Sequence, residues 1–278
     1  MTIRPVETLE EPHLHPYRTL RRPLDHQRQG IFVAEGDKVV CRLLESTLDI
    51  RSCLLTPEWL EIYRPLLEAR MENPLVFVAP KSVVESIVGF NLHQGIMAVA
   101  HIPKPLSLAE ALQQSIHPRL FVAVDGLTNA ENLGALVRNC AAFKVDALLV
   151  GETSSSPYLR RAVRNSMGTV FHLPVVQLTD LISAIGEMRL AHAFHAIAAH
   201  PHADQKMLQQ ASFGADCCIV FGSEGEGVRA GVLAACNESV AISMQDGVDS
   251  LNVASASAVF LYEVQRQRNV SRFGDGGR

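Results

Sequence analysis

The stretch from Leu120 to Gly151, LFVAVDGLTNAENLGALVRNCAAFKVDALLVG, decides the fold. An apolar run of strand length, FVAVD, leads into a polar turn. NLGALVRNCAAF follows at helical spacing, and DALLV forms a second apolar run. Strand, helix and strand within about thirty residues make a βαβ unit, whose two strands lie parallel.

The alternation continues downstream. TVFHLPVV (169–176), AFHAIAA (193–199), DCCIVF (216–221) and ESVAIS (238–243) read as short buried strands of a parallel sheet. PYLRRAVRNSM, LTDLISAIGEMRLA and SLNVASASAVFLYEVQRQR read as helices, and in the last of these Val253, Ala256, Phe260 and Val264 share one stripe. Upstream, from Ile31 to Ala100, the segments are shorter: VVCRLLES, RSCLLT, EWLEIYRPLLEARM with Pro65 interrupting it, PLVFVAP and GIMAVAHI. The reading is an α/β chain with a small α/β domain over residues 1–100, a Pro-containing linker over 101–118 and a parallel-sheet domain over 119–270. A disordered tail is expected over 271–278. On this division residues 1–100 should be removable without unfolding the rest.

Composition excludes several classes. With 47% hydrophobic and 19% charged residues the 278-residue chain is not disordered. Its net charge of −4 rules out indiscriminate phosphate binding, so nucleic acid has to be met by local basic patches. No run is long enough to span a membrane, and the acidic N-terminus is no signal peptide. The six cysteines form no CxxC pair, which fits a reduced, cytoplasmic protein.

In a parallel sheet, ligands bind at the carboxyl ends of the strands. Three polar, small-residue segments follow strands here: GLTNAENLG (126–134), GSEGEG (222–227) and SMQDGVDSLN (243–252). Glycines of the second let backbone approach a ligand closely, but it lacks the G-x-G-x-x-G order of dinucleotide sites, and its glutamates repel a polyphosphate. An adenosine bearing a cation suits it better; a tight connection with solvated acids is the competing reading. Asn132 and Asn252 each read either as a helix cap or as a site residue, and Arg138 as a solvated or a functional one. Arg160, Arg161 and Arg164 form a candidate phosphate patch in one helical pattern. Arg18, Arg21, Arg22 and Arg28 form another near the N-terminus, with Tyr17 offered for stacking on a base. His192, His195, His200 and His202 lack a Cys or paired carboxylate, so no metal is assigned.

Taken together, VDGLTNAENLGALVRNCAAF, IVFGSEGEGV and VAISMQDGVDSLNVASASAVFLYE resemble the three signature motifs of the SpoU (TrmH-type) RNA 2′-O-methyltransferases of the SPOUT superfamily. FVAEGDKVVCRLLE and NLHQGIMAVA resemble the small RNA-binding domain that often precedes them. The resemblance implies a C-terminal trefoil knot, S-adenosylmethionine as cofactor, ribosomal or transfer RNA as substrate, and a homodimer. It implies Asn132, Arg138, Glu224, Ser250 and Asn252 as active-site residues. Gly222, Ile242, Met244 and Leu251 are its cofactor-binding positions, and Arg160, Arg161, Arg164, Arg21 and Arg22 are expected on RNA. Arg138 would act as general base in family accounts, or as a phosphate-binding stabiliser of the developing oxyanion, the role a guanidinium suits better. This chain departs from the family in writing Ile242-Ser243-Met244 for I-P-M and in having Lys144 where Gly is common. A non-catalytic RNA-binding protein of the same fold is the alternative.

Overall fold

The structure, a computed structural model, describes residues 1–87, 95–201 and 206–273. Contacts divide the chain into two units: residues 1–104 with 157–172, and residues 105–156 with 173–278.

The first unit opens with β1 (Thr2–Pro5), the short helices α1 (His15–Arg18) and α2 (Pro23–Arg28), and β2 (Ile31–Glu35). It continues through α3 (Asp37–Glu45), β3 (Ile50–Leu55), α4 (Pro57–Glu68), β4 (Leu75–Val78), α5 (Lys81–Ser86) and β5 (Ile96–His101). The five strands form a mixed sheet in the order β1-β4-β3-β5-β2, with β5 antiparallel to both neighbours. Pro65 does not interrupt α4, contrary to the sequence expectation. It and the residue one turn before it, Glu61, are exposed, so water can take the carbonyl that loses its donor. The N-terminal arginine-rich stretch is built into this unit. Tyr17 is fully buried and its hydroxyl meets Ser52 Oγ at 2.9 Å, which removes it as a stacking platform.

The second unit begins with α6 (Leu108–Gln114), β6 (Leu120–Val124), α7 (Ala130–Ala142) and β7 (Ala147–Val150). The chain then enters the first unit for α8 (Arg160–Asn165) and returns as β8 (Val175–Gln177), α9 (Leu181–His192), β9 (His195–Ala199) and β10 (Cys217–Phe221). It ends with α10 (Ala230–Ala235), β11 (Glu238–Val240) and α11 (Val253–Phe273). Six strands, in the order β11-β9-β10-β6-β7-β8, are parallel throughout. Alternate strand residues build the two faces. Phe121, Ala123, Ala196, Ala198, Cys218 and Val220 pack with α6 and α9. Facing the other way, Phe221 meets Phe260 of α11 edge-on with centroids 5.7 Å apart.

Several boundaries differ from the sequence reading. Within the bridge, Ser107 closes a capping box with Glu110 at the start of α6, whose Leu108, Ala111 and Leu112 join the second core. TVFHLPVV is a strand only from Val175, with a 3-10 turn over Thr169–Phe171 ahead of it, because Pro174 has no N–H for a ladder. Residues 157–172 belong to the first unit. The Tyr158 and Phe171 rings both pack against Phe32 at 5.5 Å, and Arg42 donates to the Met167 carbonyl. Residues 271–273 continue α11; residues 274–278 of the expected tail lie outside the described residues, as does NLHQ of 91–94.

Candidate active site

β9, β10 and β11 end at Ala199, Phe221 and Val240, and the segments leaving them enclose a cavity of about 360 Å³. Six of the nine residues that the sequence placed in the active and cofactor sites line it: Gly222, Glu224, Ile242, Met244, Ser250 and Leu251. Phe260 and Val253 of α11 add apolar wall. The loop after β10 has its shape from its own backbone. Ser223 N donates to Gly227 O and Gly227 N to Ser223 O, both at 3.0 Å. A Cβ on Gly222 would lie 2.0 Å from the Gly227 carbonyl carbon. Glycine at 222 therefore answers the closure of the loop upon itself, where the sequence had suggested close approach of a ligand.

Asn132 and Asn252 stand outside the cavity lining but meet each other. Asn252 Nδ2 donates to Asn132 Oδ1 at 3.0 Å, joining the start of α11 to the first turn of α7. Asn252 also caps α11, its Oδ1 accepting from Ala254 N at 2.9 Å, as the first of its two readings expected. Asn132 is not the cap of α7. That residue is Asn129, whose Oδ1 accepts from Glu131 N and Asn132 N at 2.9 and 3.2 Å. Asn139, two turns beyond Asn132, donates to Ala254 O at 2.7 Å and Ser257 Oγ at 2.9 Å. α7 is thus stitched to α11 along one face, and the loop after β6 is tied to the cavity through it. Sequence reasoning missed Asn129 and Asn139; their signal was the recurrence of asparagine at intervals of three and seven.

Arg138 is exposed on another face of α7, away from the Asn132 and Asn139 pairings, and among the described residues it makes no hydrogen bond or ion pair. The other arginines divide. Arg160 pairs with Glu35, a residue of β2 whose side chain is 5% exposed, and Arg164 approaches the same carboxylate at 3.6 Å. Arg21, Arg22 and Arg161 are exposed.

Beneath the loops lies a network that the sequence did not disclose. Asp125, fully buried at the end of β6, accepts from Arg229 N at 2.8 Å and Arg229 Nε at 2.7 Å. Arg229 Nη2 reaches on to Glu152 Oε1 at 2.6 Å, and Glu152 Oε2 accepts from Leu181 N at 3.0 Å. Burial would push the Glu152 carboxyl up, but the Arg229 hydrogen bond and backbone N–H groups outweigh it and hold the group below the usual glutamate range. The network fixes the loop after β10 to the ends of β6 and β7.

His195 Nε2 meets Glu238 Oε1 at 3.0 Å, and Lys206 Nζ meets Glu238 Oε2 at 2.7 Å. Among the described residues no group of three or more His, Cys, Asp or Glu side chains is placed to hold a metal; His202 lies outside them.

The donor set suits a particular kind of ligand. Glu224, Glu226 and Asp249 line the cavity, and among the described residues no lysine or arginine does. Apolar side chains of Ile242, Met244, Leu251 and Phe260 offer a purine-binding wall. Acidic loops at the carboxyl ends of a parallel sheet suit a cationic nucleoside such as S-adenosylmethionine better than a polyphosphate. The matter is settled by sequence: residues 119–262 match the SpoU rRNA methylase family, and the chain belongs to it. It is accordingly an RNA methyltransferase. The chain is 31% identical over 275 residues to an uncharacterized tRNA/rRNA methyltransferase of Mycobacterium bovis, covering 96% of this chain and 92% of that one. It is 31% identical over 210 residues to the 23S rRNA (guanosine-2′-O-)-methyltransferase RlmB of Pasteurella multocida, over 74% of this chain and 84% of that protein. The crystal structure of an RNA 2′-O ribose methyltransferase superposes with a TM-score of 0.75 at 26% identity, covering 96% of this chain and all of that one.

Proposed function

We infer that this chain transfers a methyl group from S-adenosylmethionine to a ribose 2′-hydroxyl of ribosomal or transfer RNA. The observation that carries the reading is the meeting of the family's motif loops: the second and third enclose one acid-lined cavity, and Asn132 of the first is bonded to Asn252 beside it. Bound there, S-adenosylmethionine supplies a methyl group on a positively charged sulfur. Ile242, Met244 and Leu251, with the backbone at Gly222, hold the nucleoside part. Ser250, Asn132 and Asn252 orient the ribose through neutral hydrogen bonds, and much of the rate comes from that alignment. Glu224 keeps its place in the active-site set as an acceptor on the loop after β10.

Arg138 binds the phosphate next to the target ribose and stabilises the negative charge that grows on its oxygen. A guanidinium does not lose its proton near neutral pH, so it is assigned no role as base. Its exposed position outside the cavity lining supports a homodimer in which a second copy supplies it. Exposed Val259 and Tyr262 on α11 support the same assembly. We place Arg21, Arg22 and Arg161 on RNA, with Arg160 and Arg164 contributing beside Glu35. The trefoil knot, proposed for the segment from β11 to α11, rests on the family resemblance and agrees with the order β11-β9-β10-β6. Six free cysteines, five of them buried, agree with a cytoplasmic setting, and among the described residues no helix is long and apolar enough to cross a membrane.

Calorimetric titration tests the cofactor. S-adenosylmethionine should bind at micromolar affinity, about −8 kcal/mol. Tight binding of NAD with none of S-adenosylmethionine would overturn the reading.

A further inference from the structure

The cavity is lined by Glu226 and Asp249 besides Glu224, and among the described residues no lysine or arginine lines it to offset them. The two arrive from different strands. Glu226 is set by the closed loop after β10, where its own N–H donates to Ser223 Oγ at 3.1 Å. Asp249 follows the turn in which Val248 N donates to Gln245 O at 3.1 Å, in the segment between β11 and α11. Arg229, the cation that follows the loop after β10, is committed to Asp125 and Glu152.

We propose that Glu226 and Asp249 make the cavity selective for charge on the ligand's sulfur, holding the methyl donor more tightly than its demethylated product. The inference rests on the cofactor assignment above. The donor carries one more positive charge than S-adenosylhomocysteine, and the two share every other group. Two carboxylates on the wall of the cavity favour the donor by a Coulomb term that the product cannot collect. The preference has a consequence for turnover: loss of the charge weakens the product's hold, so the cavity empties and refills with donor. Both side chains are exposed, so salt screens the effect.

The test is calorimetry on the full chain with three probes: S-adenosylmethionine, S-adenosylhomocysteine, and sinefungin, which carries an amine in place of the sulfonium methyl. Glu226→Gln and Asp249→Asn should each weaken the two cationic ligands about fivefold and change S-adenosylhomocysteine less than twofold. With the unaltered protein, raising salt from about 0.05 to 0.5 M should shrink the gap between donor and product. That second measurement needs no variant to fold. Equal weakening of all three ligands would make the residues merely structural, and an unchanged ratio in both experiments would overturn the proposal. If the unaltered chain binds none of the three, the cofactor assignment itself falls; if it binds all three with one affinity at every salt concentration, only this inference does.

Discussion

Asn252 ties the beginning of the last helix to the beginning of α7 by one hydrogen bond, 3.0 Å from its amide to the side-chain oxygen of Asn132. The same residue caps α11. One side chain therefore stabilises a helix and holds together the loops of the first and third motifs.

Separating these two duties gives the first prediction. Asn252→Ala removes cap and crosslink and should cost about 1 kcal/mol of stability. Asn132→Ala removes the crosslink alone and should cost about 0.5 kcal/mol. Both should lower methyl transfer about tenfold or more through lost alignment. A double-mutant cycle on stability and on rate is the measurement, and non-additivity in both is the expected result.

The Asp125–Arg229–Glu152 network predicts a particular response to acid. The Glu152 carboxyl lies below its ordinary value of 4.5 in the folded protein, so its stabilising share is present above that value and lost as pH falls through the folded one. Glu238, where burial is outweighed by hydrogen bonds from Lys206 and His195, has the same sign. Stability should decline below about pH 4.5. Arg229→Ala leaves the buried Asp125 carboxylate without its guanidinium, with only the backbone N–H of residue 229, and should cost about 3 kcal/mol at neutral pH. It should also flatten the acid slope, because Glu152 loses the side-chain partner that contributes most to holding its carboxyl low. Urea titrations at a series of pH values decide this.

Lys144 explains why glycine is common at its position in the family. It ends α7 with φ at 56°, while Val145 N bonds to Cys140 O at 2.9 Å and Lys144 N to Ala141 O at 3.4 Å. That is a Schellman ending, whose left-handed residue favours glycine. Lys144→Gly should stabilise the chain by about 0.5 kcal/mol, the relieved backbone strain exceeding the added freedom of the unfolded chain. A higher denaturation midpoint with unchanged slope would show it.

Removing residues 1–104 should harm the remainder. Tyr158 and Phe171 would lose Phe32, and Arg160 would lose Glu35. The fragment is expected to melt at lower temperature and to bind a hydrophobic dye. A fragment that melts like the full chain and binds no dye would show that residues 157–172 do not need the first unit.

The parallel sheet was legible because each strand is an apolar run bounded by polar loops, and FVAVD, DALLV and DCCIVF needed only their length and neighbours. The cavity was legible because ligand-binding loops follow strand ends, and Gly222, Glu224, Ser250 and Leu251 all fall there. What escaped depends on which surface a segment packs against. Nothing in the periodicity of PYLRRAVRNSMG says that Tyr158 packs on Phe32 of the first unit's sheet. Tyr17 looked available because an arginine-rich neighbourhood reads as exposed, yet its hydroxyl finds Ser52 in the core. Asp125 and Arg229 are 104 residues apart, a separation that local pattern does not bridge.

Methylation of an RNA ribose at this site is read out by mass spectrometry of nucleosides. RNA would be compared from cells with the gene, without it, and with Arg138→Ala in its place. Arg138 is exposed and without a partner among the described residues, so the variant should fold within about 0.5 kcal/mol of the parent and bind S-adenosylmethionine unchanged. Its rate of methyl transfer should fall about a hundredfold. One 2′-O-methylated nucleoside should disappear with the gene and should not be restored by Arg138→Ala. Ribose methylation that is the same in all three RNAs, or a loss confined to base methylation, would contradict it.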